Sequence, residues 1–191
     1  YPIPYVCQFV TLQMQTKHLL CYSKTIVLNK DYLGLQFFPE SGELVHGLPG
    51  KVGFKALDYK GKGKVVEGEI IDGQDKVITT FNSNQLGMGS FIINKVDSTA
   101  TYFAKVKSQS EEKLSLIYHL PPIAKKGNVL SVFEDEDEIH LTVLSNYLSN
   151  DSVYIRISCR GLVYFDIKGR LKEGKLMFSL PASNLPELPL Q

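Results

Sequence analysis

The sequence lacks tryptophan, has only three cysteines and carries almost no net charge. Its 21 lysines and arginines oppose 20 aspartates and glutamates among 191 residues, which leaves a formal charge of +1. Proteins that bind nucleic acid rely on an excess of positive charge, so this balance argues against such a partner. No uncharged apolar run approaches the roughly 18 residues that a membrane-spanning helix needs. We therefore do not expect the chain itself to span a membrane.

The cysteines show none of the spacings that mark metal or redox sites. Cys7, Cys21 and Cys159 form no Cys-x-x-Cys pair, which argues against the common zinc and thiol-redox motifs. A bridge between Cys7 and Cys21 would need an oxidising compartment. The alternative is a pair of buried free thiols, because cysteine is among the most buried residue types. We expect Cys159 to be a small apolar core residue.

Short segments that alternate apolar and polar residues recur along the whole chain, and no long helical pattern interrupts them. In residues 51–57, Val52, Phe54 and Ala56 fall on one face and Lys51 and Lys55 on the other. Residues 102–107, 139–143 and 153–159 repeat this pattern. Alternation with a period of two is typical of half-buried β-strands. The sequence therefore predicts an all-β fold built of antiparallel sheets.

Turn residues and strand spacing divide the chain into two units. The loops at 72–75 and 173–174 suit hairpins, and about six candidate strands precede residue 107, with five or six after residue 113. The polar stretch 108–112 separates the two groups. Residues 1–110 carry 12 lysines and 9 acidic residues, whereas residues 111–191 carry 9 basic and 11 acidic residues. We predict two tandem antiparallel β-sandwiches, at 33–110 and 111–191.

Residues 1–32 contain two further candidate strands. They are leading strands that belong either to the end of a preceding sandwich or to the sheets of the first one, and strand counts do not separate these alternatives. The chain begins with Tyr1 rather than methionine and ends in a segment with Pro186 and Pro189. We expect it to be a section of a longer protein.

Several segments, taken in order, resemble a macroglobulin-type domain of bacterial alpha-macroglobulin relatives. They are residues 35–45, 51–56, 66–72, 87–91 and 102–106. The resemblance covers 33–107, extends more weakly over 113–191, and includes 1–32 only as a leading remnant. Ser41 departs from the pattern, since glycine is more usual at that position; a serine there adopts positive φ less freely.

The resemblance implies immunoglobulin-like sandwiches of seven antiparallel strands, arranged in tandem in a large extracytoplasmic protein at the periplasm or outer membrane. Alpha-macroglobulins trap their targets through a thioester in a Cys-Gly-Glu-Gln motif. None of the three cysteines lies in that motif, so this chain cannot form the thioester. The resemblance implies partners among the other domains of the same polypeptide and an envelope protein.

Five adjacent acidic residues form the densest charge run, and they are the only calcium candidates: Glu134, Asp135, Glu136, Asp137 and Glu138. Clustered carboxylates suit Ca²⁺, but the run lacks the glycine and the alternate spacing of a calcium loop. A solvated hairpin tip is the favoured interpretation. The four histidines, at 18, 46, 119 and 140, show no spacing that would assemble the three or four ligands of a zinc site. We expect no metal and no cofactor.

Lysines and tyrosines mark the candidate interaction surface. Tyr59, Lys60, Lys62 and Lys64 lie in a glycine-containing loop that could hold an anion through its lysines and backbone N–H groups. It is not a phosphate-binding loop, because the Gly-Lys-Ser/Thr ending is missing, and lysines that discourage edge pairing are the favoured interpretation. Tyr154 and Tyr164 complete the predicted surface.

The sequence favours a non-enzymatic function. It contains no Gly-x-Ser-x-Gly motif and no other context that indicates a nucleophile. We predict a structural and protein-interaction module of a larger bacterial cell-envelope protein. The alternatives are a sandwich that binds glycan or peptide and a regulatory domain of an envelope transporter or peptidase. A surface line of Tyr59, Tyr118, Tyr154 and Tyr164 in a groove would favour the binding module.

Overall fold

A computed structural model describes residues 9–15, 21–27, 32–107, 115–135, 137–147 and 152–184. The fold is all-β, as predicted, and its sheets are antiparallel apart from one short parallel pair. The strands are β1 Phe9–Gln15, β2 Cys21–Val27, β3 Leu33–Pro39, β4 Leu44–Val45, β5 Gly50–Asp58, β6 Glu67–Ile71, β7 Val77–Asn82, β8 Met88–Ile93, β9 Phe103–Val106, β10 Leu116–His119, β11 Ile123–Ala124, β12 Asn128–Glu134, β13 Glu138–Ser145, β14 Ser152–Cys159, β15 Leu162–Arg170 and β16 Lys175–Pro181.

The only helix among the described residues is the short 3₁₀ turn Ala182–Asn184. It follows β16 directly. None of the described segments is a helix of the length and apolar character that crossing a membrane requires.

Two sheets enclose the main core and form what we call the first sandwich. One sheet has the order β10-β9-β6-β7 and the other β3-β5-β8. Both sheets contribute to a single apolar cluster. The rings of Phe54 on β5 and Phe81 on β7 meet edge to face with centroids 5.1 Å apart, which ties the two sheets together. This unit has the seven strands that the resemblance implied.

The alternation in β5 fixes which of its faces enters this core. Val52, Phe54 and Ala56 are 0%, 3% and 0% exposed, whereas Lys51 and Lys55 are exposed. Full burial of a side chain such as Phe54 contributes about 1.5–3 kcal/mol. The prediction from sequence is therefore confirmed for this strand, and β9 follows the same rule.

Three loops of the first sandwich share one geometry. In each, the side-chain oxygen of the first residue accepts hydrogen bonds from the N–H groups two and four positions later, and the residue three positions later has a positive φ. The first and positive-φ residues are Asp58 with Gly61, Asp72 with Asp75, and Asn84 with Gly87. An Asp or Asn at the first position closes such a turn because its short side chain reaches the following backbone.

A smaller set of strands, which we call the second sandwich, follows. It has one sheet of order β12-β13-β16 and a two-stranded sheet β14-β15. Its buried apolar residues are Val129, Leu141, Val143, Ile155 and Leu180. The predicted alternation of β14 is confirmed, because residues 154, 156 and 158 are exposed while Ile155 is buried. Cys159 is half-buried and forms no disulfide, and the side chains of Cys7 and Cys21 lie outside the described residues.

The loop at 173–174 departs from the predicted hairpin. Glu173 and Gly174 do form a tight turn with positive φ, and Lys172 pairs with Lys175 across it. However, β15 pairs with β14 while β16 pairs with β13, so the turn carries the chain from one sheet to the other. The predicted turn is therefore present, but pairing across it ends at Lys172 and Lys175, because a turn signal does not reveal which sheet the following strand joins.

Side-chain hydrogen bonds join the two sandwiches, from Ser41 to Leu130 and from Asn146 to the carbonyl oxygen of His46. The parallel pair β4 and β11 lies against the first core, and the N–H of His46 donates to the carbonyl oxygen of Ala124 at 2.9 Å. Leu44 and Val45 are fully buried there. The strand β10 pairs with β9, so the sheet of the first sandwich extends past 108–112, where the sequence predicted a break; residues 108–114 lie outside the described residues.

The strands β1 and β2 pair only with each other among the described strands. They join neither sheet of the first sandwich. Nothing is described of their side chains.

Candidate interaction surface

The lysine loop is closed by a residue that the sequence analysis did not single out. Oδ1 of Asp58 accepts the N–H groups of Lys60 and Lys62 at 2.8 and 3.0 Å. These hydrogen bonds, led by that of Lys62, hold the pKa of the Asp58 carboxyl below its usual value. The backbone N–H groups of Lys60 and Lys62, proposed as donors to an external anion, are thus already bound by an internal carboxylate. Nζ of Lys60 lies 5.3 Å from the ring centre of Tyr59.

Two of the three tyrosines of the predicted surface, Tyr154 and Tyr164, lie in the second sandwich. Tyr154 on β14 is 68% exposed, and Tyr164 on β15 is also exposed. Tyr164 has no cross-strand partner, because the register of the β14–β15 pair shifts beside it. Among the described residues, no side-chain contact connects these tyrosines with the lysine loop.

Tyr118 does not belong to this surface. It is half-buried against the first core, and its hydroxyl donates a hydrogen bond of 2.6 Å to the carbonyl oxygen of Leu33. The continuous line of four tyrosines considered from the sequence is therefore wrong. Tyr118 instead connects β10 to β3, the edge strand of the opposite sheet.

The exposed face of the β14–β15 hairpin carries two cross-strand pairs. Tyr154 lies opposite Lys168, whose Nζ is 5.2 Å from the ring centre. Arg156 lies opposite Asp166, and their closest atoms, Nη2 and Oδ2, are 2.6 Å apart. The hydrogen bond from Arg156 lowers the pKa of Asp166, and in turn Asp166 raises the pKa of Arg156.

These four side chains and Ile167 line an open depression of about 630 Å³. An exposed aromatic ring beside cations and a carboxylate can contact a peptide or a sugar through both apolar and polar groups. Because the ion pair between Arg156 and Asp166 is exposed, it contributes little to stability. This face, defined by Tyr154, Arg156, Asp166 and Lys168, is the candidate interaction surface.

The acidic run forms the turn between β12 and β13. Oδ1 of Asp135 accepts the N–H groups of Asp137 and Glu138 at 3.2 and 2.9 Å. Its Oδ2 lies 2.8 Å from Nε2 of His140. In the described part of the chain, no group of three or more potential ligands is arranged to hold a metal ion. Glu136 lies outside the described residues.

A serine extends this cluster on the outer face of the sheet. Nδ1 of His140 lies 2.7 Å from Oγ of Ser179, directly across the β13–β16 pair. Sequence spacing gave no sign of this contact, because 39 residues separate the two positions. The connectivity of Ser179, His140 and Asp135 is that of a hydrolase triad. The imidazole is partly exposed, Asp135 is also bound to the turn, and the cluster connects the turn to β16.

The comparisons with known proteins find similarity among solved structures alone. No family model and no curated protein matches the chain. Among solved structures, it is similar to the native conformation of E. coli alpha-2-macroglobulin, with 12% identity and a TM-score of 0.30. It is also similar to a point mutant of Salmonella alpha-2-macroglobulin, with 11% identity and a TM-score of 0.33. Both matches cover 84% of this chain but only 14% of the other protein.

Proposed function

We propose that the chain is a non-enzymatic, macroglobulin-like pair of sandwiches that acts as a structural and protein-interaction unit of a larger bacterial cell-envelope protein. The observation that supports this proposal is the built junction between the sandwiches. A spacer has to hold its domains in a fixed relative orientation. Domains with only a small, polar interface between them would be expected to move relative to each other. The sequence resemblance over 33–107 supports the extracytoplasmic location.

Asn146 is the centre of this junction. Its Nδ2 donates to the carbonyl oxygens of His46 and Lys125, both at 2.8 Å, and its Oδ1 accepts the N–H of Gly127 at 3.0 Å. One side chain therefore connects the segment after β4 to the segment between β11 and β12. These bonds oppose bending between the two sandwiches.

Calorimetry tests the spacer function. We expect the wild-type chain to unfold in one cooperative transition, because each sandwich stabilises the other through the junction. Asn146→Ala removes three hydrogen bonds and should lower the free energy of unfolding by about 1–3 kcal/mol. Because the junction is then weaker, the second sandwich should unfold in a transition separate from that of the first. Asn128→Ala is the matched control, since that side chain makes only a 3.3 Å contact with Tyr147. Two independent transitions in the wild type would contradict the proposal.

A second assay addresses catalysis. The Ser179–His140–Asp135 cluster is the arrangement most able to hydrolyse an ester or peptide, so fluorogenic esters and peptides are the appropriate substrates. We expect no turnover above that of Ser179→Ala. Turnover that Ser179→Ala and His140→Gln both abolish would overturn the non-enzymatic proposal.

Cell fractionation tests the location. An antibody against the chain should detect its parent protein in the periplasmic or outer-membrane fraction of the source bacterium. Detection in the cytoplasmic fraction alone would refute an envelope role.

The candidate interaction surface supports a second function, the binding of a peptide or glycan. The observation that favours it is the exposed Tyr154 beside Lys168, on the wall of the open depression. Nuclear magnetic resonance titration with mixed peptide and oligosaccharide pools should shift amides of β14 and β15 in the wild type and not in Tyr154→Ala. Tyr59→Ala, a tyrosine of the first sandwich, is the control and should bind as the wild type does.

A further inference from the structure

The sheet β3-β5-β8 of the first sandwich carries apolar and basic side chains on the face that points away from the core. Phe38 on β3 and Met88 and Ile92 on β8 are 54%, 42% and 51% exposed. The exposed Lys51 and Lys55 lie on the central strand β5, between the apolar residues of the two outer strands. We call the surface defined by these five residues the β5 face.

Gly53 lies at the centre of the β5 face, between Lys51 and Lys55 on the central strand. Its cross-strand neighbours are Phe38 on one side and Ser90 on the other. Glycine has no side chain and serine has a short one, so the larger side chains of the face surround two adjacent positions with little on them. A side chain from outside the chain can therefore approach the sheet at this point.

The fold itself does not require a glycine at position 53. Gly53 has no positive φ, and a Cβ there would have only the carbonyl oxygen of Phe38 within 4 Å, at 3.6 Å. By contrast, a Cβ at Gly68 of β6 or at Gly89 of β8 would clash with a neighbouring backbone carbonyl oxygen. Glycine inside a strand is destabilising relative to alanine, and it often marks a place where a ligand or another backbone approaches closely.

The charges on the two sides of Gly53 differ. Nζ of Lys51 lies 3.4 Å from Oε1 of Glu40, so an internal carboxylate already faces this lysine. Lys55 instead lies opposite two uncharged residues, one on each neighbouring strand. An external carboxylate therefore complements the charge of Lys55 better than that of Lys51.

This arrangement fits a protein segment better than a lipid surface. A protein surface that binds a bilayer buries a continuous apolar face among the lipids, whereas the two lysines of β5 separate the apolar residues of β3 from those of β8. In an extended segment, side chains two positions apart share one face and lie about 7 Å apart. Gly53 and Lys55, two positions apart on β5, have this same separation.

We propose that the β5 face is a docking site for an extended protein segment that carries a large apolar residue and an acidic residue two positions apart. The apolar side chain lies over Gly53, beside Phe38, and the carboxylate pairs with Lys55. The proposal goes beyond the spacer function, which depends on the junction between the sandwiches, and beyond the surface on β14 and β15. The variants that test it leave the junction unchanged, so the two proposals can fail separately.

Two substitutions on the β5 face block docking in different ways. Gly53→Val fills the space at the centre of the face, and it should unfold at no lower denaturant concentration than the wild type, because valine suits a strand. Lys55→Glu reverses the charge that the acidic residue meets. Lys105→Glu is the matched control, since it makes the same change of charge at an exposed position of β9 in the other sheet.

Peptides selected from a random phage-displayed library against the immobilised wild-type chain are the probe. We expect the enriched peptides to share an apolar residue and an acidic residue two positions apart. They should bind Gly53→Val and Lys55→Glu at least about tenfold more weakly than the wild type, as expected when a central contact is lost. Their affinity for Lys105→Glu should equal that for the wild type.

Four results would overturn the proposal. Three of them are a selection that enriches no peptide, enriched peptides that bind Gly53→Val as well as the wild type, and a Gly53→Val variant that is less stable than the wild type. The fourth is cosedimentation of the wild type with phosphatidylglycerol vesicles that Lys55→Glu abolishes, because this would assign the β5 face to a membrane instead of a protein segment.

Discussion

The hydroxyl group of Ser41 is hydrogen-bonded to both backbone groups of Leu130. Oγ accepts the N–H of Leu130 and donates to its carbonyl oxygen, each at 3.0 Å, across 89 positions of sequence. Leu130 lies on β12, the outer strand of its sheet. The serine side chain therefore takes the place of a neighbouring strand at that point. Glycine is more usual at this position in the macroglobulin-type domains that the sequence resembles, and glycine has no side chain to make this contact.

We predict that Ser41→Ala exposes this part of the edge of β12. Loss of both hydrogen bonds should lower the free energy of unfolding by about 1–2 kcal/mol, and the amide of Leu130 should exchange with solvent at least about tenfold faster. Hydrogen exchange followed by nuclear magnetic resonance measures this directly. Ser90→Ala, at an exposed position of β8, is the control. Unchanged protection of Leu130 in Ser41→Ala would show that the contact does not form in solution.

Two glycines with the same backbone conformation should respond differently to alanine. Gly61 and Gly87 have φ values of 77° and 72°, but a Cβ at Gly61 meets open space, whereas one at Gly87 would clash with the carbonyl oxygen of Ala56. Gly61→Ala should lower the free energy of unfolding by about 1–2 kcal/mol, because alanine is strained at positive φ. Gly87→Ala should cost more than about 3 kcal/mol, because backbone must also move. Equal losses in chemical denaturation would contradict this packing.

The burial of Tyr118 makes stability depend on alkaline pH. Burial raises the pKa of Tyr118 to about 12, and nearby Tyr32 adds to the rise. The folded-state pKa thus exceeds the ordinary value of 10. The stabilisation is therefore fully present below pH 10 and is lost as the pH rises through about 12. The difference in unfolding free energy between wild type and Tyr118→Phe should be constant up to pH 10 and shrink above it.

Ultraviolet titration checks the same assignment. One tyrosine should ionise near pH 12 in the wild type, and this step should disappear in Tyr118→Phe. Tyr154→Phe should retain it. A titration in which Tyr118→Phe leaves the step unchanged would assign the raised pKa to another residue.

The turn held by Asp135 should weaken in acid. The hydrogen bond from His140, followed by those from the N–H groups of Glu138 and Asp137, lowers the pKa of Asp135 below 3.8. A lowered pKa contributes stability above the unfolded-state value, and this is lost as the pH falls through the folded-state value. Wild type should therefore exceed Asp135→Asn in stability at neutral pH, and the two should converge below pH 3.8. Asp137→Asn is the control, and a constant difference down to acid pH would refute the assignment.

The sequence predicted the strands of the first sandwich well, because alternation reports directly which face of a strand is buried. Val52, Phe54 and Ala56 illustrate this. The short strands β4 and β11 carry two residues each, too few for any periodicity. Their pairing depends on contacts between residues far apart in sequence, as does the contact of Ser41 with Leu130. No local pattern encodes such contacts.

The sequence predicted the exposure of some tyrosines but not of others, because the exposure of an aromatic side chain depends on which residues from distant segments pack against it. Tyr154 is exposed, as expected, while Tyr118 is covered by the first core. The sequence indicated the lysine loop, but it did not indicate that the side chain of Asp58 closes this loop. An Asp or Asn followed by glycine three residues later would have been a usable signal, since it occurs at both Asp58 and Asn84.

The three loops of the first sandwich that are closed by their own Asp or Asn side chain make it a scaffold on which foreign peptides can be presented. Each loop is held by one Asp or Asn side chain and one residue of positive φ, so its shape does not depend on the two residues between them. Those residues are exposed in two of the loops, at 73–74 and 85–86. Foreign dipeptides grafted there should be presented in one fixed conformation at two separate turns, with the register of the flanking strands unchanged.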